Sequence, residues 1–210
     1  MSAKDEILGR IRTALADAPR VEEVPRSYRT TSSLSEEELI ELLVDRLVDY
    51  KAGVDVIDAA DIPTFVASKL DAAHSVVYPH GLDTGWLQAV PESVQRHMDA
   101  PGSMLTIPEL DATSAVVTSS AISVAESGTI ILDGEPDQGR RAISLVPDHH
   151  VCIVPVSTIV QLLPEAMPRL EVTRPQTWIS GPSATSDIEL ERVEGVHGPR
   201  TLDVLIVRGL

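Results

Sequence analysis

The sequence predicts an α/β fold, a mixed β-sheet flanked by helices and preceded by an amino-terminal helical extension. Three observations point there. Helix-spaced and strand-like apolar runs alternate through residues 35–78, the rhythm of a mainly parallel sheet whose crossovers are helices. Residues 115–207 carry mostly short apolar runs divided by polar turns. Connections there as short as Glu126 to Gly128 leave no room for a crossover helix, so some neighbouring strands pair antiparallel.

Residues 5–15 place Ile7, Leu8, Ile11 and Leu15 on one face of a short amphipathic helix. Residues 17–33 carry Pro19 and Pro25 among charges and hydroxyls and read as a linker or extended strap. Ser35 stands three residues before Glu38, the spacing of a capping box, and Leu39, Leu42, Leu43, Leu47 and Val48 line one face of the helix it opens. Gly53 ends that helix, residues 54–57 form a strand, 61–70 a helix and 75–78 a strand. Further strands are expected at 115–118, 121–125, 129–132, 142–145 and 151–156. A brief helix follows at 158–163, then strands at 177–180 and 202–207, with a short helix opened by Asp187 between them.

A chain of 210 residues with 43% apolar content buries one sizeable core, so residues 34–210 are expected to form a single domain behind a helix and linker at 1–33. The most apolar runs, 151–156 and 202–207, are far too short to cross a bilayer. The first fifteen residues mix acids and bases with apolar side chains and lack the pattern of a signal peptide, which implies a cytoplasmic protein. The formal charge of −15 repels phosphodiester backbones, and 3% aromatic content leaves little for base stacking, so nucleic acid is not an expected partner. Cys152, the only cysteine, lies in an apolar strand and reads as a buried, inert thiol. An iron–sulfur cluster takes about four thiolates, so this chain alone holds none. A homo-oligomer is compatible with the sequence.

Functional side chains gather in four segments at the ends of apolar strands, where a rigid sheet presents its loops. In the first, Glu126, Ser127 and Gly128 turn between two strands ahead of Thr129, and the carboxylate is a candidate base or nucleophile as well as an ordinary polar turn residue. In the second, Arg140 and Arg141 offer forked donors for a carboxylate or phosphate, although paired arginines are commonly solvated. Ser144 follows them, and His149 and His150 open the next strand; alternation sends those two imidazoles to opposite faces, so one at most meets a cavity. In the third, Ser180, Gly181, Ser183 and Thr185 form a hydroxyl-rich loop before Asp187 and Glu189, a pattern that suits an anion held on backbone N–H groups and equally an ordinary capped helix. In the fourth, His197 sits between Gly195 and Gly198, where its imidazole is open to proton transfer or to a structural hydrogen bond. Glu126, His149 and His197 are the candidate catalytic groups. No close metal-ligand spacing such as H-x-x-x-H occurs, and no metal is expected. Glycine-rich nucleotide loops and a nucleophile elbow are also absent. The spatial expectation is that Glu126, His149, Ser183, Asp187 and His197 converge on one cavity at one rim of the sheet.

Taken in order, the runs AESGTIIL from Ala125, RR…S-L-x-P-x-H from Arg140, ISGPSATSDIE from Ile179 and GVHGPRTLDVLIV from Gly195 resemble the LUD-domain, or lactate-utilization, family. The resemblance implies a three-layer α/β fold similar to ribose-phosphate isomerases and CoA-transferases. It also implies L-lactate oxidation to pyruvate in the company of two partner proteins that carry the iron–sulfur clusters. The small ligand would then be lactate or pyruvate. Family members often carry a basic residue where this chain has Ala184, which shifts neutralisation of a carboxylate to Arg140, Arg141 or a partner. Two other readings stand beside it: a non-catalytic assembly module, suggested by the separate amphipathic helix, and a stand-alone enzyme of the CoA-transferase or sugar-phosphate isomerase type, suggested by fold analogy.

Overall fold

The computed structural model describes residues 2–16, 24–171, 173–185, 193–195 and 197–210. In chain order the elements are α1 (Ala3–Ala14), α2 (Glu36–Asp49), β1 (Gly53–Asp58), α3 (Ile62–Lys69), β2 (Ser75–Pro79), β3 (Gln95–Asp99), α4 (Ile107–Asp111) and β4 (Ala115–Thr118). They continue with β5 (Ile122–Val124), β6 (Thr129–Leu132), α5 (Arg141–Leu145), β7 (His149–Pro155), β8 (Ile159–Val160) and α6 (Leu163–Ala166). The last are β9 (Thr177–Ile179), β10 (Ala184–Thr185), β11 (Val193–Glu194) and β12 (Thr201–Arg208).

A six-stranded sheet in the order β1-β12-β7-β4-β2-β3 forms the centre, and every pairing within it is parallel. The antiparallel pairing expected from the Glu126–Gly128 connection belongs to a second, four-stranded sheet, β8-β5-β6-β9, in which β6 runs against both β5 and β9. Period-two alternation divides the central strands between two cores. Val151, Ile153, Leu205 and Val207 face α3 with Ile62, Val66 and Leu70, whereas Cys152, Val154, Val204 and Ile206 face α2 and β6 with Leu43, Leu47 and Ile130. The result is three layers, with α3 on one side of the parallel sheet and α2 with the mixed sheet on the other.

Local chemistry sets the ends of α2. The Ser35 hydroxyl and Glu38 carboxylate complete the capping box in both directions. At the other end the Lys51 N–H donates to the Val48 carbonyl and the Ala52 N–H to that of Leu47, the paired bonds of a Schellman turn. Lys51 takes the left-handed conformation there, with φ 68°, so the helix stops before Gly53, which instead opens β1. Ile40, not Val48, completes the buried stripe with Leu43 and Leu47, and Val48 is exposed. α1 forms on its own Ser2–Asp5 capping box and buries none of its side chains among the described residues.

Two expected elements change type. Residues 142–145 form the helix α5, not a strand, because a four-residue apolar run carries no period of its own. Coiled into a helix, it drops Ile143 into a cluster with Val77, Leu110 and Val116. Residues 158–163 do not form a helix: the β-branched pair Ile159 and Val160 aligns beside Ser123 and Val124 as β8, and the helix begins only at Leu163. β3 and α4 were not expected at all. β3 is an edge strand of sequence QRHMD with no apolar alternation. The helix anticipated at Asp187 lies outside the described residues.

Candidate ligand-binding site

Strand parity decides which of the two adjacent histidines faces a cavity. His150 shares its face of β7 with Cys152 and Val154, is fully buried, and places Nε2 2.8 Å from Thr118 Oγ1. Its Nδ1 has no hydrogen-bond partner among the described residues. Burial pushes the imidazole pKa down to about 3, with a smaller push from His149, so the ring is neutral at pH 7. A neutral ring with one nitrogen on Thr118 offers the other as donor or acceptor, according to its tautomer.

His150 lies in the wall of a cavity of about 250 Å³ that also takes in Ser144 from α5, Ser180 and Ser183 from the loop after β9, and His197 from the turn before β12. Backbone contacts fasten the two loops together. The Ser183 N–H donates to the Pro199 carbonyl at 2.8 Å, and the His197 N–H donates to Ser183 Oγ at 3.0 Å. Gly181 has φ 94°, and a Cβ there would lie 2.7 Å from that of Tyr50, so the loop turns tightly over the end of α2 because this residue is glycine. A hydroxyl chain runs behind the wall: Thr129 Oγ1 lies 2.8 Å from both Ser127 Oγ and Ser180 Oγ. Beside apolar Leu145, Ile179 and Leu202, the walls hold imidazoles and hydroxyls and no acidic or basic chain of the Asp, Glu, Lys or Arg type among the described residues. Such a lining hydrogen-bonds a hydroxyl, carbonyl or carboxylate without neutralising charge.

Six of the expected residues therefore meet: Ser144, Ser180, Gly181, Ser183, His197 and Gly198. Ser127 and Thr129 reach them through the hydroxyl chain, and Gly128 holds its turn at φ 61°. Others are carried elsewhere. His149 points to the opposite face of the sheet, where Nε2 lies 2.8 Å from Asp203 Oδ2. Lys69 bridges that carboxylate at 3.1 Å to Asp55 at 2.7 Å. Burial works against the Asp203 charge, but hydrogen bonds from His149 and Lys69 outweigh it and hold the carboxyl below its usual range. Glu126 is outside the cavity wall and is paired with Arg29 of the extended 24–34 segment at 2.6 Å. The single shared rim thus excludes Glu126, whose side chain is exposed beside Arg29, and His149, which alternation sends to the other face.

Arg140 and Arg141, at the amino end of α5, border a different cavity. Arg140 grips Asp99 with two bonds of 3.0 and 2.8 Å and also donates to the Leu105 carbonyl. Thr185 lies in β10, paired with Val193, while Asp187 and Glu189 lie outside the described residues. Thr177 and Leu202 are wall residues that the motifs did not single out, and of the two adjacent histidines it is His150, not the expected His149, that lines the wall. Parity along β7 was the available signal for His150, but it required knowing which face carried the second sheet.

The LUD domain model matches residues 100–207, about half of the chain. The chain belongs to the LUD-domain family. All walls of the histidine cavity fall inside the matched LUD segment. A relative from Deinococcus radiodurans named Lactate utilization protein C is 44% identical over 209 residues, covering 98% of this chain and 95% of its own. A relative of the same name from Bacillus velezensis is 29% identical, covering 82% and 79%. A crystal structure of a DUF162 family protein from Deinococcus radiodurans superposes with a TM-score of 0.68 at 36% identity, covering 83% of this chain and 99% of that one. The LUD fold seen here is thus shared with a solved relative. Cys152 is buried, and desolvation pushes its thiol up to about 12.

Proposed function

We propose that this chain is the cluster-free subunit of a cytoplasmic system that oxidises L-lactate to pyruvate together with iron–sulfur partner proteins, and that the His150–His197 cavity receives the substrate. The observation that carries the reading is near full-length similarity, at 44% identity, to a protein named Lactate utilization protein C. The cavity supports it, since about 250 Å³ is ample for a three-carbon hydroxy acid and the lining sets hydroxyls and an imidazole among apolar side chains. Lactate becomes pyruvate by losing two electrons and two protons. The two electrons and the proton from the Cα–H would leave through redox centres on the partners, because a single buried thiol offers no ligand set for a cluster here. His197, exposed at the cavity mouth, takes the hydroxyl proton as general base, and neutral His150, held on Thr118, backs the wall behind it.

The test is purification of tagged protein from its native host, followed by lactate-driven dye reduction. Iron–sulfur proteins should co-purify, lactate should drive reduction, and His197→Ala should abolish turnover in an intact complex. Stable bait without such partners and without lactate-dependent reduction overturns the reading. A second reading, an assembly module, is favoured by α1, whose Ile7 and Ile11 are exposed, as is Leu15 just after it. Full turnover after both Glu126→Ala and His197→Ala would favour it over catalysis.

A further inference from the structure

The second cavity lies on the other side of α5 and has about 570 Å³ of space, within the range of roughly 300–1,000 Å³ that small-molecule sites occupy. It opens at the carboxyl ends of β2 and β3, where Pro79 leads into His80 and β3 ends at Asp99. Crevices outside the carboxyl ends of parallel strands are where open α/β sheets hold ligands. The loop that forms its far wall is pinned to the sheet. The Gly81 N–H donates to the Pro136 carbonyl at 2.9 Å, and the Ser119 N–H to that of Asp137 at 3.0 Å. The approach at Gly81 is so close that a Cβ there would lie 2.4 Å from Pro136 Cβ. The space is therefore built into the fold.

Its walls are mainly apolar, supplied by Pro101, Met104, Pro136, Ala142 and Pro175. The charges among them are matched except for one. Asp99, 5% exposed, accepts both Arg140 bonds and the Leu105 N–H, and Glu135 is paired with Arg174. The Arg141 side chain is exposed and has no ion-pair or hydrogen-bond partner among the described residues. Asp133 and Asp137 belong to the same loop but not to the walls, and burial raises the Asp137 carboxyl towards its neutral form. One uncompensated guanidinium thus borders an apolar cavity in a chain whose formal charge is −15.

We propose that this cavity binds an amphipathic anion, with a carboxylate or phosphate head on Arg141 and an apolar body against Met104 and the three prolines. The site is separate from the histidine cavity, and the inference does not depend on lactate chemistry. Guanidinium supplies the forked donors such a head requires, and the walls supply the area that removes the body from water.

The test is titration of the full chain, followed by amide chemical shifts, with decanoate and decyl phosphate below their micellar concentrations. Decanol, decylammonium, lactate and inorganic phosphate serve as controls. Saturable binding of at least one amphipathic anion, with shifts at residues 100–105 and 134–142, is expected, and lactate and inorganic phosphate should leave those residues unmoved. Preference for decanoate or for decyl phosphate identifies the head group. Arg141→Gln should weaken binding about tenfold or more through loss of the charged contact. Met104→Glu, at an exposed wall position, should weaken it similarly while leaving the unfolding curve intact. Absence of binding by both anions, equal binding of decanol or decylammonium, or unchanged affinity in both variants overturns the proposal.

Discussion

Gly53 and Asp203 are fitted to each other across the β1–β12 pairing. They are direct partners in the parallel register, and a Cβ on Gly53 would lie 2.2 Å from Asp203 Oδ1. That oxygen has little freedom to move, because the carboxylate is held at once by His149 and Lys69. Gly53→Ala must displace a pinned charged group, not a free chain end, and should cost about 1–3 kcal/mol, the scale of overpacking in a well-filled site. Urea unfolding checks this. In an Asp203→Asn background the same substitution should cost less, and an equal cost in both backgrounds would separate Gly53 from the network.

The buried imidazole of His150 makes the protein acid-sensitive in a defined window. Its folded pKa, about 3, lies below the ordinary value of roughly 6.5, so below pH 6.5 the unfolded chain binds a proton that the folded chain refuses. Stability from this group is therefore complete above about pH 6.5 and falls as pH drops towards about 3. His150→Phe should flatten the slope of unfolding free energy between pH 4.5 and 6.5. An unchanged slope, or a wild-type ring that titrates near 6.5 by NMR, would mean that His150 is not buried as described.

How much of this was readable beforehand differs between elements. The Ser35–Glu38 box and the alternation in β7 and β12 were plain, because caps and period-two patterns are local. α5 and β8 were not, since a short apolar run takes whichever form its neighbours permit, and those neighbours are far away in the chain. The site divides along the same line. Ser180, Ser183, His197 and Gly198 were named from the composition of their loops and they meet. His149 and His150 could not be told apart without the second sheet. Arg140 looked like a free ligand donor because Asp99, which occupies it, lies in a strand whose QRHMD sequence shows no pattern.

That Arg140–Asp99 pair should be sensitive to geometry as well as to charge. The Asp99 side chain is 4% exposed and that of Arg140 31%, so removing the guanidinium leaves a buried carboxylate with only the Leu105 N–H. Arg140→Ala should cost about 2–3 kcal/mol, below the usual toll for orphaning a fully buried charge because one partner is partly solvated. Arg140→Lys should recover only part of it, as an ammonium cannot reproduce two parallel bonds and a third to Leu105. Urea midpoints at constant slope measure both, and full recovery by lysine would show that the fork is not required.

Thr129 is the last link to be tested, because it stands between the AESG turn and the cavity. It is 7% exposed, and its hydroxyl meets Ser127 and Ser180 at 2.8 Å each. Thr129→Val keeps the shape of the side chain and deletes both bonds, so it should cost about 1 kcal/mol in stability. Ser180 Oγ then loses the contact that directs it, and under the lactate reading the KM for lactate-driven dye reduction should rise several-fold with little change in kcat. Thr129→Ser retains the hydroxyl and should restore KM even if some stability stays lost. This separates the two consequences: a KM that follows stability, and not the hydroxyl, would reduce Thr129 to a packing residue and leave Ser180 without a positioned role.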